Sequence, residues 1–355
     1  MPSACEPHLP RVYVVLLNWN GWGDTLECLE SLFRSDYPDY RVIVCDNRSE
    51  DGSVDHLEAW AEGRVDIAGG CRHQKLSRFS FPPAPKPIPY VVHGREAAEA
   101  GGGGSDSSAR LILIDTGANL GFAGGCNIAL RYALARDDFA YIWLLNNDTV
   151  VNADALSELV HRMRERPNAG ICGSTLRYYH APETIQALGG AQYNKWLGTR
   201  TPIGAHRPAS MPVEVAEVEK KMSYVNGASM LVSRGFLHEI GLLCEDYFLY
   251  YEEIDWAMRA RGRYALAYAP GSIVYHKKGE TIGSPRISAR AEYLALRNRL
   301  LFTCKRVPVA FPTVWLGFLV VILNRLRRGQ FDRIGKILQI MFGRWEFDFV
   351  WSEDR

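Results

Sequence analysis

The stretch YIWLLNNDTVV, Tyr141 to Val151, sets the question that the rest of the chain answers. Its first half is an apolar run that reads as a buried strand, and it ends abruptly in two amides and a carboxylate, Asn146, Asn147 and Asp148. One reading is a turn, because Asn and Asp side chains bond their own backbone at strand-to-loop transitions. The other is a carboxylate that holds a metal ion at a strand's carboxyl end, where open α/β sheets place their ligands. By itself the stretch favours the turn.

The neighbouring sequence repeats the pattern. RVYVVLLNWN and YRVIVCDN are β-branched runs that end in Asn or Asp-Asn, and DTLECLESLFRS between them places Leu26, Leu29, Leu32 and Phe33 at helical spacing. Strand, helix, strand is the signature of a parallel unit. A third strand, RLILID, leads through GANLGFAGGCNIALRYAL, a Gly-rich turn entering a helix; ADALSELVHRMRER is an amphipathic helix and AGICGSTLRY another strand. The fold class is therefore α/β. Polar residues recur at the strand ends, at Asn18, Asp46–Asn47, Asn119 and Asp148, and in an alternating chain those ends share one sheet edge. Each is more often a turn residue when taken singly; the recurrence shifts the balance.

Composition bounds the partners. Of 355 residues, 47% are hydrophobic and 23% charged, as in folded soluble proteins, and the net charge of +1 gives no global field for nucleic acid. Eight scattered cysteines contain no C-x-x-C pair, so neither a zinc site nor a disulfide framework is expected. The N-terminal segment lacks a basic start and its apolar run is short for a signal peptide, which makes the cytoplasm the expected compartment. Residues 66–109 hold FPPAPKPIPY and EAAEAGGGGSDSS, a low-complexity insertion expected to be disordered around Gly101 to Ser108. Residues 178–218 are irregular, with weak periodicity.

Near the C-terminus, VPVAFPTVWLGFLVVILNRLRRGQ joins a nearly uncharged run, short for a full span of about 20 residues, to Arg325, Arg327 and Arg328. Such a helix either lies on a membrane surface with its basic residues among headgroups, or packs as a buried or interfacial helix.

Two further constellations carry candidate chemistry. DYFLYYEEIDWAMRARG pairs Glu252 with Glu253, and Asp255 follows; the helix dipole alone favours acids there, whereas a general base needs a carboxylate within reach of a substrate hydroxyl. Phe248, Tyr250, Tyr251 and Trp256 around them fit a core as well as a sugar-stacking wall. IVYHKKGETIGS sets His276 just past an apolar strand, with Lys277 and Lys278 as neighbours suited to phosphate. Imidazole with carboxylate is a common ligand pairing for a divalent transition metal.

The order of these motifs resembles that of family 2 inverting glycosyltransferases of the GT-A fold, near the rhamnosyltransferase-like members. The matching stretches are VVLLNWNGWGDTLECLESL, VIVCDNRSEDGSVD, NLGFAGGCNIAL, WLLNNDTVV, VNGASMLVSRGFLHEIGLLCEDYFLYYEEIDWAMRARG and VYHKKGETIGS. The resemblance implies a nucleotide-binding mixed sheet flanked by helices over residues 1–300, and a C-terminal helical extension over 301–355. It implies a dTDP- or UDP-linked donor, rhamnose first among the sugars, bound by Asn18, Asp46, Asn47, Asn119, Gly121 and Asn147. Asp148 takes the last place of a D-x-D-like metal motif and His276 that of a second ligand, for Mg2+ or Mn2+. Glu253 takes the place of the catalytic base, with Glu252 beside it. The first position of the metal motif is Asn146, which leaves one direct carboxylate. The acceptor expected is a saccharide or a lipid-linked one, with peripheral placement on the inner face of the cell membrane as the alternative to a purely cytoplasmic enzyme. A nucleotidyltransferase would want a basic Gly-rich loop that NWNGWGDT lacks; a membrane-attached scaffold that binds sugar nucleotides without catalysis is the second alternative.

Overall fold

The computed structural model describes residues 9–65, 73–277 and 285–343. The first strand β1, Val12–Asn18, is followed by helix α1, Trp22–Leu32, strand β2, Tyr40–Asp46, and helix α2, Ser53–Ala61. Helix α3, Ser77–Ser80, strand β3, Tyr90–Gly94, and helix α4, Arg95–Glu99, precede β4, Leu111–Asp115, and the long helix α5, Gly121–Arg136. Strands β5, Tyr141–Leu145, and β6, Thr149–Val151, flank the Asn146–Asp148 corner, and α6, Ala155–Glu165, leads to β7, Ala169–Tyr178. The irregular region resolves into β8, Ile185–Leu188, β9, Gly190–Asn194, β10, Thr199–Pro202, and α7, Val215–Lys221. Then come β11, Tyr224–Val225, β12, Ser229–Ser233, α8, Arg234–Ile240, α9, Glu252–Ala260, and β13, Ala265–His276. Three helices close the described chain: α10, Pro285–Arg306, α11, Phe311–Arg327, and α12, Phe331–Met341.

Among the described residues the main sheet runs β3-β4-β2-β1-β5-β12-β7-β13-β6, with β8 beside β7; β10-β9-β11 form a small second sheet. The first five strands are mutually parallel and β12 enters antiparallel between β5 and β7. A parallel core strand is covered on both faces, and β1 shows how the sequence does it. Val12, Val14 and Leu16 join Trp60 and helix α1 in one cluster, while Tyr13 and Val15 alternate into the other, beneath α5. Gly125 permits that approach: a Cβ there would lie 2.3 Å from Leu17 Cδ1 and 2.8 Å from Asn47 Oδ1. A third cluster joins Tyr247, Tyr251 and Ile254 to Leu300, Phe302, Val314, Phe318 and Ile340, so α10, α11 and α12 share a core with the segment around α9.

The insertion departs from its expected disorder. Its Pro-rich half ends in β3, which pairs with β4 in parallel. The Gly/Ser run is pinned by Asp106, buried and bonded to Tyr132 Oη at 2.7 Å and His93 Nε2 at 2.9 Å, while Arg41 holds the Asp106 carbonyl at 2.8 Å. Composition signalled a linker because glycines dominate it; the anchors come from β3 within the insertion and from β2 and α5 outside it. Residues 66–72 of the insertion lie outside the described residues, as do Lys278 to Ser284 and the last part of the C-terminal extension.

Candidate functional site

The expected donor residues gather where the parallel strands end. Asn18 and Asp46 are register partners at the ends of β1 and β2. Asn18 Nδ2 donates to Asp46 Oδ2 at 2.7 Å, and Ser49 donates to Asp46 from both its backbone N–H and its hydroxyl, each at 2.7 Å. Asn18 Oδ1 accepts from Thr25 Oγ1 at 2.8 Å, and Asn147 Nδ2 donates to Thr25 Oγ1 at 2.9 Å. One network therefore joins β1, β2, α1 and the corner after β5. Asn47 is a brace: its Nδ2 donates to the Gly121 carbonyl at 3.0 Å and reaches Asn119 Oδ1 at 3.4 Å.

Gly121 has φ +71°, and a Cβ on it would lie 2.4 Å from the Phe248 carbonyl. The Phe122 N–H donates to that same carbonyl at 2.6 Å. Glycine at this point brings the start of α5 against the loop that carries the paired glutamates, so the two halves of the site are in direct backbone contact.

Asp148 and His276 meet across the sheet. Asp148 Oδ1 lies 3.2 Å from His276 Nε2, and β13 pairs His276 with Thr149 in β6. Gln186 Oε1 sits 2.9 Å from His276 Nδ1 and orients the ring with Nε2 toward Asp148. Asn146 Nδ2 is 3.4 Å from the same Nε2. A carboxylate oxygen and an imidazole nitrogen are donors that a divalent ion accepts, whereas Asn146 turns its amide nitrogen, a hydrogen-bond donor, toward them. Among the described residues no cluster of three or more His, Cys, Asp or Glu could hold a metal. An ion held by few protein ligands completes its shell with substrate phosphate oxygens and water, as Mg2+ does at one or two carboxylates, while the imidazole suits a transition-metal ion. The residues fit such an ion.

Lys277 does not serve phosphate. Its ammonium is buried between Asp24 and Glu27, at 2.6 Å from each, where it fastens the end of β13 to α1.

Glu252 and Glu253 open α9, and both are buried. Burial, and next the charge of Glu253, push the Glu252 carboxyl up to about 8. Burial also raises Glu253, against which the Arg200 guanidinium, 3.9 Å from Glu253 Oε1, pulls back down. Oε2 of each glutamate is buried without a hydrogen-bond partner, an expensive arrangement for a purely structural carboxylate. Asp255, by contrast, is fully engaged with Tyr247, Arg259 and Arg306. Tyr251 and Trp256 are core residues, while Tyr250 is half-buried with Arg200 over its ring at 5.7 Å.

The loop before α9 holds Phe248, Tyr250 and Tyr251 at φ +61°, +72° and +80°, left-handed conformations that cost non-glycine residues free energy. Asn298 of α10, fully buried, restrains it: its Nδ2 donates to the carbonyls of Tyr247, Leu249 and Tyr250 at 2.7, 2.8 and 2.9 Å. Tyr251 Oη donates to the Gly198 carbonyl at 3.0 Å, tying the same loop to the β9–β10 hairpin. Sequence reasoning missed Arg200 and Asn298. Arg200 lies in a stretch without periodicity, and nothing local distinguishes Asn298 from any polar residue on a helix.

A comparison with known families matches Glycosyl transferase family 2 to residues 13–73 and 98–215, half of the chain. The chain belongs to glycosyl transferase family 2. The family expected from the sequence is thus the family found, and the GT-A class agrees with the mixed, mainly parallel sheet and its C-terminal helices. The gap in the match falls within the insertion. Among curated relatives, the low-salt glycan biosynthesis hexosyltransferase Agl10 of Haloferax volcanii is 28% identical over 54% of this chain and 59% of its own. The N-acetylglucosaminyl-diphospho-decaprenol L-rhamnosyltransferase of Mycobacterium tuberculosis is 25% identical over 48% of this chain and 60% of its own. The chain therefore matches about three fifths of the length of these relatives. Of solved structures, GalNAc-T7 with UDP, GalNAc and Mn2+ superposes with a TM-score of 0.51 at 13% identity, covering 83% of this family 2 chain and 51% of that one.

Proposed function

We propose that this family 2 protein transfers a sugar, rhamnose first, from a dTDP- or UDP-linked donor to a hydroxyl of a saccharide or lipid-linked acceptor, with inversion at the anomeric carbon. The observation that carries the reading is Glu253. It is a buried carboxylate with one unpartnered oxygen, set on a strained loop beside a guanidinium and joined through Gly121 to the strand-end network. A carboxylate so placed suits the removal of a proton from an incoming hydroxyl. The relatives named for hexosyl transfer and for rhamnosyl transfer to a lipid diphosphate acceptor support the substrate classes.

In this reading the acceptor oxygen gives its proton to Glu253 and attacks the anomeric carbon from the face opposite the leaving group. The new glycosidic bond forms as the bond to the diphosphate breaks, and the nucleoside diphosphate leaves with that electron pair. Burial and the charge of Glu253 raise Glu252 to about 8, which favours its protonated form near neutral pH and eases repulsion within the pair. Asn18, Asp46 and Asn147 hold the strand ends that face the nucleotide, and Asn47 with Asn119 and Gly121 brace the opposite wall. Asp148 and His276 would hold a divalent ion, Mg2+ or Mn2+, which when bound neutralises charge on the departing diphosphate. A lipid-linked acceptor would place the protein at the inner face of the cell membrane.

The test is the product. NMR of the glycoside formed from a donor of known anomeric configuration is expected to show the opposite configuration, and retention would refute the mechanism. Glu253→Gln keeps the shape and removes the base; its transfer rate is expected to fall by about 100-fold or more with donor affinity retained.

A further inference from the structure

Among the described residues one helix is long and apolar enough to cross a membrane, the 20-residue run Pro308–Arg327, and only 17% of its apolar window is buried. Its contacts argue against crossing. Val314 and Phe318 are buried against the rest of the fold, Trp315 Nε1 donates to the Met341 carbonyl at 2.9 Å, and Arg325 and Arg333 both pair with Glu292 of α10. One side of α11 is thus fixed to the folded protein. The opposite side shows Leu316, Leu319, Val320 and Leu323 to solvent, at the three- and four-residue spacing of a single helical face.

This stripe has two shoulders. On one, Thr313 Oγ1 donates to the Trp196 carbonyl at 2.6 Å, and Arg299 Nη2 donates to the Leu197 carbonyl; Trp196 and Leu197, the tip of the β9–β10 hairpin, are 46% and 50% exposed. On the other, Phe342, 73% exposed, packs edge-on against Trp315 with ring centroids 6.3 Å apart. At 100° per residue, Thr313 and Trp315 fall on opposite sides of the stripe. The exposed apolar surface is therefore wider than the helix and includes an element from the transferase body. Its charge is one-sided: Arg325 and Arg333 are taken up by Glu292, but Arg327, Arg328 and Lys336 are exposed between Pro308 and Gly343 against the single acid Asp332, and Lys195 stands over the Trp196 ring at 5.3 Å.

We infer that α11, the Phe342 corner and the Trp196–Leu197 hairpin tip form one docking surface for an anionic lipid bilayer, with the helix lying in the plane of the membrane. Apolar side chains enter the boundary between headgroups and acyl chains, and the exposed Arg327, Arg328, Lys336 and Lys195 meet lipid phosphates. The hairpin gives this surface a consequence for the site. Gly198, next to Leu197, accepts from Tyr251 Oη, and Arg200, three residues beyond Leu197, faces Glu253. Docking at the tip sets the base loop at the membrane surface, where the hydroxyl of a lipid-linked acceptor lies; this last step rests on the proposed transfer reaction, and the surface itself does not.

The experiment is flotation of the full chain with phosphatidylcholine vesicles, with and without phosphatidylglycerol, for wild type, Val320→Glu and the Trp196→Ala/Leu197→Ala pair. Donor hydrolysis in solution is followed in parallel. The wild type is expected to float with anionic vesicles at least about tenfold better than with zwitterionic ones, and each variant to lose about tenfold or more while hydrolysing donor normally. Equal binding to both vesicle types removes the anionic partner. A hairpin pair that floats like wild type removes the hairpin from the surface. Wild-type protein that ignores vesicles but is dimeric by light scattering, and monomeric as Val320→Glu, makes this face a contact between two copies and overturns the inference. Normal flotation without any transfer would instead reject the proposed reaction and leave the surface standing.

Discussion

Removing the Arg200 charge should move the pH dependence of transfer in a known direction. Arg200 Nη1 lies 3.9 Å from Glu253 Oε1, and the guanidinium opposes the upward push that burial gives that carboxyl. At this distance two unit charges attract by about 1 kcal/mol in water and about 4 kcal/mol at the effective dielectric of a protein site. Arg200 is partly open to solvent, which puts the interaction between those limits. Divided by about 1.4 kcal/mol per unit, the range corresponds to about 1–3 pH units. In the proposed reaction Glu253 acts when deprotonated, so kcat/KM falls as pH drops through its pKa. Arg200→Gln removes a favourable partner of the charged form, raises that pKa further and shifts the acid limb upward by about 1–3 units. Steady-state transfer from pH 5 to 10, with donor affinity measured separately, provides the assay; Arg200→Lys should restore most of the limb. A limb that stays within a few tenths of wild type, or moves down, would show that Glu253 does not titrate as the base or that Arg200 does not reach it.

Asn298→Ala strips three loop carbonyls of their donor. It is expected to cost about 2–3 kcal/mol in stability and to lower kcat while leaving donor binding by calorimetry unchanged; an unaltered kcat would mean the loop holds itself. Asn298→Asp, similar in shape but without the donors, should fail to rescue. Gly121→Ala drives a Cβ into the Phe248 carbonyl from a left-handed backbone. It should cost at least about 1–3 kcal/mol and reduce transfer, read by thermal melting and rate; a variant that melts and turns over like wild type would show that the contact with the base loop is dispensable.

How much of this could be read from the chain follows from where each residue gets its partners. Asn18, Asp46 and Asp148 were visible because each ends an apolar run, and alternating strands and helices put those ends on one edge. The edge strand Tyr90–Gly94 was not visible, because prolines before it and glycines after it mimic a linker. Its parallel pairing with β4 is a tertiary fact. Lys277 looked suited to phosphate from its place beside His276, but Asp24 and Glu27, some 250 residues earlier in sequence, capture it. The paired glutamates were legible as a motif. Their support was not: Arg200 comes from a hairpin without periodicity, and Asn298 from a helix in which its neighbours are equally polar. The apolar C-terminal run was legible as surface-seeking or buried, and the structure shows it to be both, one face in the core and one in solvent.

The central claim is a nucleotide-sugar site completed by Asp148 and His276 and served by Glu253. Calorimetric titration of UDP and of dTDP into the folded protein, first with Mn2+ and then with EDTA, tests it most directly, with Asp148→Ala as the control. The account predicts that one nucleotide binds in the presence of the ion, that EDTA weakens the binding by at least about tenfold, and that Asp148→Ala abolishes the difference. Nucleotide binding that is equally tight with EDTA in wild type and variant would contradict it, as would binding of neither nucleotide.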